Sequence, residues 1–249
     1  MEGVLKLQIN LKKSLSTVCF TAALLILFGF LYLTVFDSPS LDLMTSFIMT
    51  LFYTISLFLG VYLIDDHHHP LRRRMLHIMW MALFLFYVIQ MIYMLFFSSE
   101  FARDYVSLQN GSYKEALMQQ WSFGTNLTPF ETIHRMMAIF SLPNYANSIA
   151  IINLAGNLVA FMPFAFFALI LFPKAQKPMY FCLSMAFLII AVEVTQFFTL
   201  TGSMDIDDFI LNYLGVLIAY GILKTRPFQR MCAVLKGEAI DTPSSHHSN

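Results

Sequence analysis

Between Ala191 and Leu223, six polar side chains of kinds that move protons or hold cations are set into or beside apolar sequence: Glu193, Gln196, Asp205, Asp207, Asp208 and Asn212. Glu193 and Gln196 stand three residues apart and share one face of a helix. Asp208, Asn212 and Gly215 follow at steps of four and three, again one face. An ionised carboxylate at the centre of a membrane helix costs roughly 2.5–3.5 kcal/mol, so it seldom stands there without a partner. One aspartate is enough to cap a helix N-terminus, where carboxylates accept free N–H groups and meet the positive end of the dipole. Three aspartates and a glutamate exceed that need. Such a group must share protons, pair with a basic side chain such as Arg103 or Arg135, or bind a cation. Glu193, Asp205, Asp207 and Asp208 are therefore the candidate acid/base or cation-binding groups. A divalent cation, Mg²⁺ or Ca²⁺, suits an all-oxygen set with asparagine carbonyls added, although the spacing matches no defined metal motif.

A second set lies upstream. Asn153, Gly156, Asn157 and Ala160 recur at three- and four-residue steps on one helical face. Small residues there let another helix approach, and the asparagines can bond across the contact; plain helix–helix adhesion is the competing explanation. Pro163 removes the hydrogen bond to the Val159 carbonyl and is expected to kink this helix. Further upstream, Pro129 favours an extended entry at Thr128. Ile133, Met136, Met137 and Phe140 then form an apolar stripe suited to a helix at a membrane interface. A triplet, His67–His69, stands beside Arg72–Arg74, where a solvated or lipid-facing role outweighs metal binding. No glycine-rich phosphate loop and no nucleophile–His–Asp set is present.

The elements that must position these residues are membrane helices. Of 249 residues, 58% are hydrophobic and only 12% charged, with mean hydropathy +0.66. That charged share is half what a soluble domain carries. Six apolar spans can be read: Leu15–Phe36, Met44–Ile64, Met75–Phe97, Ile149–Phe172, Met179–Leu200 and Phe209–Leu223. Five approach the ~20 residues that a hydrocarbon core requires. The sixth is short, and must be shielded, extend through its acidic start, or sit where the bilayer thins. The first is too long for a signal-peptide core and is expected to remain as an anchor. Fifteen basic and fifteen acidic residues balance, so nucleic acid is not an expected partner, and three scattered cysteines suggest no disulfide framework.

Lys and Arg counts orient the chain. Twelve of the fifteen fall in the N-terminal tail, the second and fourth turns and the C-terminal tail; only Arg103, Lys114 and Arg135 fall on the other side. The expected fold is an all-α polytopic membrane bundle of about six transmembrane helices with both termini cytoplasmic. The acidic turn and the long segment 98–148 then face outward. Residues 1–70 read as a two-helix extension, 75–224 as the core and 236–249 as a disordered tail.

Three blocks in this order resemble the VanZ-like family, bacterial membrane proteins named for an accessory teicoplanin-resistance protein. Asn126-Leu-Thr-Pro-Phe-Glu-Thr-Ile133 is similar to its NLxPFxTI loop. Asn153 to Phe164 is similar to its NxxGNxxxFxPF helix. Glu193-Val-Thr-Gln196, with Asp205-Ile-Asp-Asp208 and Asn212-Tyr-Leu-Gly215, is similar to its ExxQ…DxDDxxxNxxG end. Some members carry an arginine where Gly202 and Ser203 stand, so here Arg103, Arg135 or a cation would have to balance the acidic cluster. The resemblance implies a cell-envelope role, with glycopeptide resistance as the named activity and no catalytic mechanism supplied.

The resulting expectation is an outward-facing acidic and amide pocket for a lipid-linked envelope precursor, another membrane lipid or a lipoglycopeptide. Asn126, Pro129, Phe130, Arg135, Asn153, Asn157, Gln196 and Asn212 are its expected binding residues, with the Asn126–Ile133 loop lining or covering it. Binder, enzyme, proton- or cation-coupled transporter and purely structural bundle remain open.

Overall fold

A computed structural model describes residues 2–36, 42–64, 69–97, 112–139 and 146–237. Arg103, His67, His68, the turn around Ser38, most of the first half of segment 98–148 and the tail from residue 238 lie outside the described residues. The helices are α1 (Glu2–Phe36), α2 (Leu43–Tyr62), α3 (His69–Phe96), α4 (Tyr113–Phe123), α5 (Glu131–Ile139), α6 (Ala146–Ala160), α7 (Met162–Leu171), α8 (Pro178–Thr199), α9 (Ile206–Leu223) and α10 (Arg226–Leu235). Two two-residue strands, β1 (Thr125–Asn126) and β2 (Met204–Asp205), pair in parallel.

Among the described residues, six helical segments are long and apolar enough to cross a membrane, in the order read from the sequence. Large apolar side chains are left exposed on these segments, Leu25 at 67%, Phe187 at 75% and Met179 at 76% among them. Hydrocarbon tolerates such surface where water does not. The architecture is an all-α polytopic membrane bundle. The sixth span extends through its acidic start: α9 begins at Ile206 and carries Asp207 and Asp208 in its first turn.

The chain divides into two compact units. One holds α1, α2, α3 to Phe86, and α10. In it Phe30 is fully buried, with its ring edge-on to Phe86 at 5.2 Å, and the Ser16 hydroxyl donates to the Gly60 carbonyl at 2.8 Å. The Trp80 indole donates to the Leu235 carbonyl at 2.9 Å and so pins the end of α10.

The second unit runs from Tyr87 to Leu223. Its core is Phe161, Ala165, Leu169, Phe181, Ile189 and Val216, with Tyr220 stacked on Phe181 at 4.1 Å. The Tyr220 hydroxyl donates to the Ala175 carbonyl at 3.0 Å. The fourth span breaks at Phe161, between α6 and α7. Pro163 has no N–H for the Val159 carbonyl, and the Phe164 N–H turns to the Phe161 carbonyl at 3.1 Å. The Ala160 carbonyl, released by that change, accepts the Tyr87 hydroxyl at 2.6 Å. The cysteines Cys19, Cys182 and Cys232 are free thiols.

Close helix approach is made by a glycine other than the expected one. A Cβ on Gly156 would meet nothing within 4 Å, whereas one on Gly215 would stand 1.7 Å from the Leu158 carbonyl oxygen. Gly215 is what brings α9 against α6. Gly156 leaves space.

Candidate functional site

That space is part of a cavity of about 520 Å³ in the second unit, within the size range of small-molecule sites. Its lining includes the apolar residues Met91, Met94, Leu95, Phe161 and Val192 and the polar residues Asn153, Asn157, Glu193, Gln196, Asp208 and Asn212. All six polar residues were expected from the sequence, and three helices deliver them. On α8, Glu193 and Gln196 are one turn apart, 9% and 6% exposed. The Gln196 amide donates to the Leu95 carbonyl at 2.9 Å, which fixes its rotamer. On α9, Asp208 and Asn212 are also one turn apart, and the Asn157 amide of α6 donates to Asp208 Oδ1. Asn153 Oδ1 and Asn212 Oδ1 are buried without a hydrogen-bond partner.

The other two aspartates do different work. Asp205, 8% exposed, caps α9: its Oδ1 accepts from the Asp207 N–H at 2.9 Å. The same carboxylate accepts the Thr132 hydroxyl at 2.6 Å and the Asn126 amide at 3.1 Å. Asp207 is fully buried and reaches the start of α5, accepting the backbone N–H groups of Phe130 at 2.5 Å and Ile133 at 3.1 Å. Two helix N-termini thus meet two carboxylates, and the positive dipole ends compensate the negative charge. The parallel β1–β2 register, Thr125 with Met204 and Asn126 with Asp205, makes this meeting possible, because β2 runs directly into α9 while β1 reaches α5 through the short segment 127–130. The four carboxylates are divided: Asp205 and Asp207 hold the loop, and Glu193 and Asp208 line the cavity. Among the described residues, no group of three or more His, Cys, Asp or Glu side chains is arranged to hold a metal ion.

Asn126, Pro129, Phe130 and Arg135 are not on the cavity wall. Asn126 is a joint. Its Oδ1 accepts from the Thr128 N–H at 3.0 Å, and its amide bridges Thr132 and Asp205. Pro129 and Phe130 are exposed, and Phe130 holds a left-handed backbone (φ 67°) that aims its N–H at Asp207. Arg135 is exposed and donates to the Thr132 hydroxyl oxygen at 3.0 Å, so it meets Asp205 only through that oxygen.

The family model described as VanZ/LLP1 matches residues 84–228, more than half of the chain. The chain belongs to the VanZ/LLP1 family. No match is found among curated proteins or among solved structures. Every cavity-lining residue of this VanZ/LLP1 protein, from Met91 to Asn212, falls within the matched segment. With its six apolar helices it is a multi-pass membrane protein.

Sequence reasoning missed α4, which supplies Gln120 to the cavity wall. The Gln120 amide donates to the Gly202 carbonyl at 2.6 Å, the Tyr113 hydroxyl to the Phe198 carbonyl at 2.6 Å, and the Met204 N–H to the Gly124 carbonyl at 3.0 Å. One signal was readable. Ser112 and Glu115 form a capping box, the S-x-x-E pattern of a helix start. Thr132 lies within the Asn126–Ile133 stretch, and only the fold shows its hydroxyl between Asn126 and Asp205.

Proposed function

We propose that this VanZ/LLP1 protein lies in the bacterial cell membrane with both termini cytoplasmic, and that its cavity opens to the outer face. There it binds, or modifies, an envelope lipid or a lipophilic glycopeptide of the teicoplanin type, and so contributes to resistance. The observation that carries this reading is the mixed lining of one cavity. Glu193 and Asp208, with the amides of Gln120, Asn153, Asn157, Gln196 and Asn212, share it with apolar Met91, Phe161 and Val192, a lining matched to an amphiphile. In this proposal Glu193 and Asp208 supply charge or proton transfer, the amides orient the ligand, and Asp205 and Asp207 hold the covering loop. The excess of Lys and Arg in the loops assigned to the cytoplasm supports the orientation.

The test is Glu193→Gln and Asp208→Asn, expressed in a glycopeptide-sensitive host at matched membrane levels. Resistance is expected to fall to that of the host alone; full resistance would overturn the proposal. A catalytic version further predicts an altered envelope lipid by mass spectrometry in wild type and not in Glu193→Gln. A second reading, a proton- or cation-coupled transporter, is favoured by the 9% exposure of Glu193 within a membrane span. It predicts uptake that collapses with the ion gradient and leaves no chemical product.

A further inference from the structure

Among the described residues, five amide side chains line the cavity, and three of them commit an amide N–H to the protein. Gln120 donates to the Gly202 carbonyl at 2.6 Å, Gln196 to the Leu95 carbonyl at 2.9 Å, and Asn157 to Asp208 Oδ1. The other two are short of donors: Asn153 Oδ1 and Asn212 Oδ1 are buried without a hydrogen-bond partner, and Asn212 is only 4% exposed. An unmet buried acceptor carries a desolvation cost that a ligand bringing donors removes. Glu193 and Asp208 already take part in interactions within the protein, so the capacity left for a ligand is that of neutral amides. Amides are dipoles and cancel no charge, and a hydroxyl enters such surroundings at far lower cost than an ion. A hydroxyl also has one donor and two acceptor lone pairs, so it serves both the orphan oxygens and the second N–H of each committed amide. A phosphate dianion brings acceptors alone.

Resting on the reading of the cavity as a ligand site, we propose that it receives an uncharged polyhydroxylated group, the sugar or polyol head of an amphiphile. Asn153 and Asn212 accept hydrogen bonds from its hydroxyls, and Gln120 and Asn157 donate to its oxygens. The apolar lining at Met91, Met94 and Val192 takes the adjoining methylenes. A volume of about 520 Å³ has room for such a head with the start of its chain.

The experiment places purified full-length protein in phosphatidylcholine nanodiscs doped with equal fractions of glucosyl diacylglycerol, phosphatidic acid and phosphatidylethanolamine. The protein is then recovered in an amine-oxide detergent, and the retained lipids are quantified by mass spectrometry. Glucosyl diacylglycerol should be enriched roughly tenfold or more over its bulk fraction, and the other two should not. Methyl glucoside that displaces it as well as octyl glucoside does assigns the site to a free sugar, and a need for the chain assigns it to a lipid; both support the hydroxyl chemistry. Asn153→Leu and Asn212→Leu should return the enrichment to the bulk fraction while the thermal midpoint holds or rises, because each removes an unmet acceptor. A lower midpoint in both would mark the asparagines as helix adhesive and overturn the inference. Gly156→Leu, whose side chain enters open space, tests the cavity with both asparagines in place and should abolish the enrichment by filling it. Glucosyl diacylglycerol at its bulk fraction in wild type, phosphatidic acid or phosphatidylethanolamine enriched as strongly, or enrichment untouched by the folded variants also overturns the inference. Resistance lost in Glu193→Gln without sugar-lipid enrichment by wild type overturns this inference alone. Enrichment lost in Asn212→Leu with resistance intact overturns the functional reading alone.

Discussion

Gly215 lies so close to Leu158 that a Cβ on it would stand 1.7 Å from the Leu158 carbonyl oxygen. The obstacle is backbone, which no side-chain rotation can relieve. Gly215→Ala must therefore part α6 from α9, and these two helices carry Asn153, Asn157, Asp208 and Asn212. Overpacking of this kind costs about 1–3 kcal/mol or more. The expected outcome is a lower thermal midpoint in detergent and reduced membrane levels. Gly221→Ala is the control: nothing lies within 4 Å of its Cβ, so it should be neutral or gain up to about 1 kcal/mol of helix propensity.

Asp207 and Glu193 are both buried carboxylates, yet their isosteric amides should behave in opposite ways. In Asp207→Asn the new NH₂ group faces the N–H of Phe130 or Ile133, leaving a donor against a donor. A loss of about 1–3 kcal/mol follows, with the Asn126–Ile133 loop released. In Glu193→Gln the loop stays held by Asp205 and Asp207, and function is lost. Equal protease cleavage of that loop in the two variants would contradict the division of the acidic cluster.

Thr132→Val keeps the shape of the side chain and removes the hydroxyl that serves Asp205, Asn126 and Arg135. About 1–3 kcal/mol of stability should be lost, since Asp205 is left short of a donor, and Thr132→Ser should restore most of it. Denaturation followed by tryptophan fluorescence reads the change through Trp121, which sits edge-on to Phe197 at 6.1 Å.

Cys232 supplies a pH dependence outside the spans. It is 3% exposed, and burial pushes its thiol up, against a smaller opposite pull from Lys236. A folded pKa above the unfolded one means that its contribution is whole below the ordinary thiol value of 9.0 and declines as pH rises past it. Maleimide labelling of Cys232 should stay slow in the folded protein at pH 8 and become rapid in denaturant. Rapid native labelling would show the site to be open.

The six spans were legible because twenty apolar residues admit few alternatives in a chain with so little charge. The cavity wall was legible in part, since helical spacing alone puts Glu193 beside Gln196 and Asp208 beside Asn212. The separate task of Asp207 was not. It depends on the start of α5 arriving from 77 residues earlier, and no local pattern encodes that meeting. The β1–β2 ladder, two residues long, is too short for any period to show. Gly156 and Gly215 look alike in sequence, and only the packed helices decide which one is the contact and which one the void.

The bonds that frame the cavity fall into two kinds with different consequences for how related chains can vary. Tyr113 and Gln120 donate to main-chain carbonyls of Phe198 and Gly202, and Asp207 accepts from main-chain N–H groups. Every residue offers a backbone carbonyl and every residue but proline an N–H, so the side chains at 198 and 133 are free to change without severing the tie. Thr132 with Asp205 and Asn157 with Asp208 join side chain to side chain, and there a change at one position calls for an answer at the other. Paired substitution across homologues should accordingly mark 132–205 and 157–208, and pass over 113–198 and 120–202 although those atoms stand just as close.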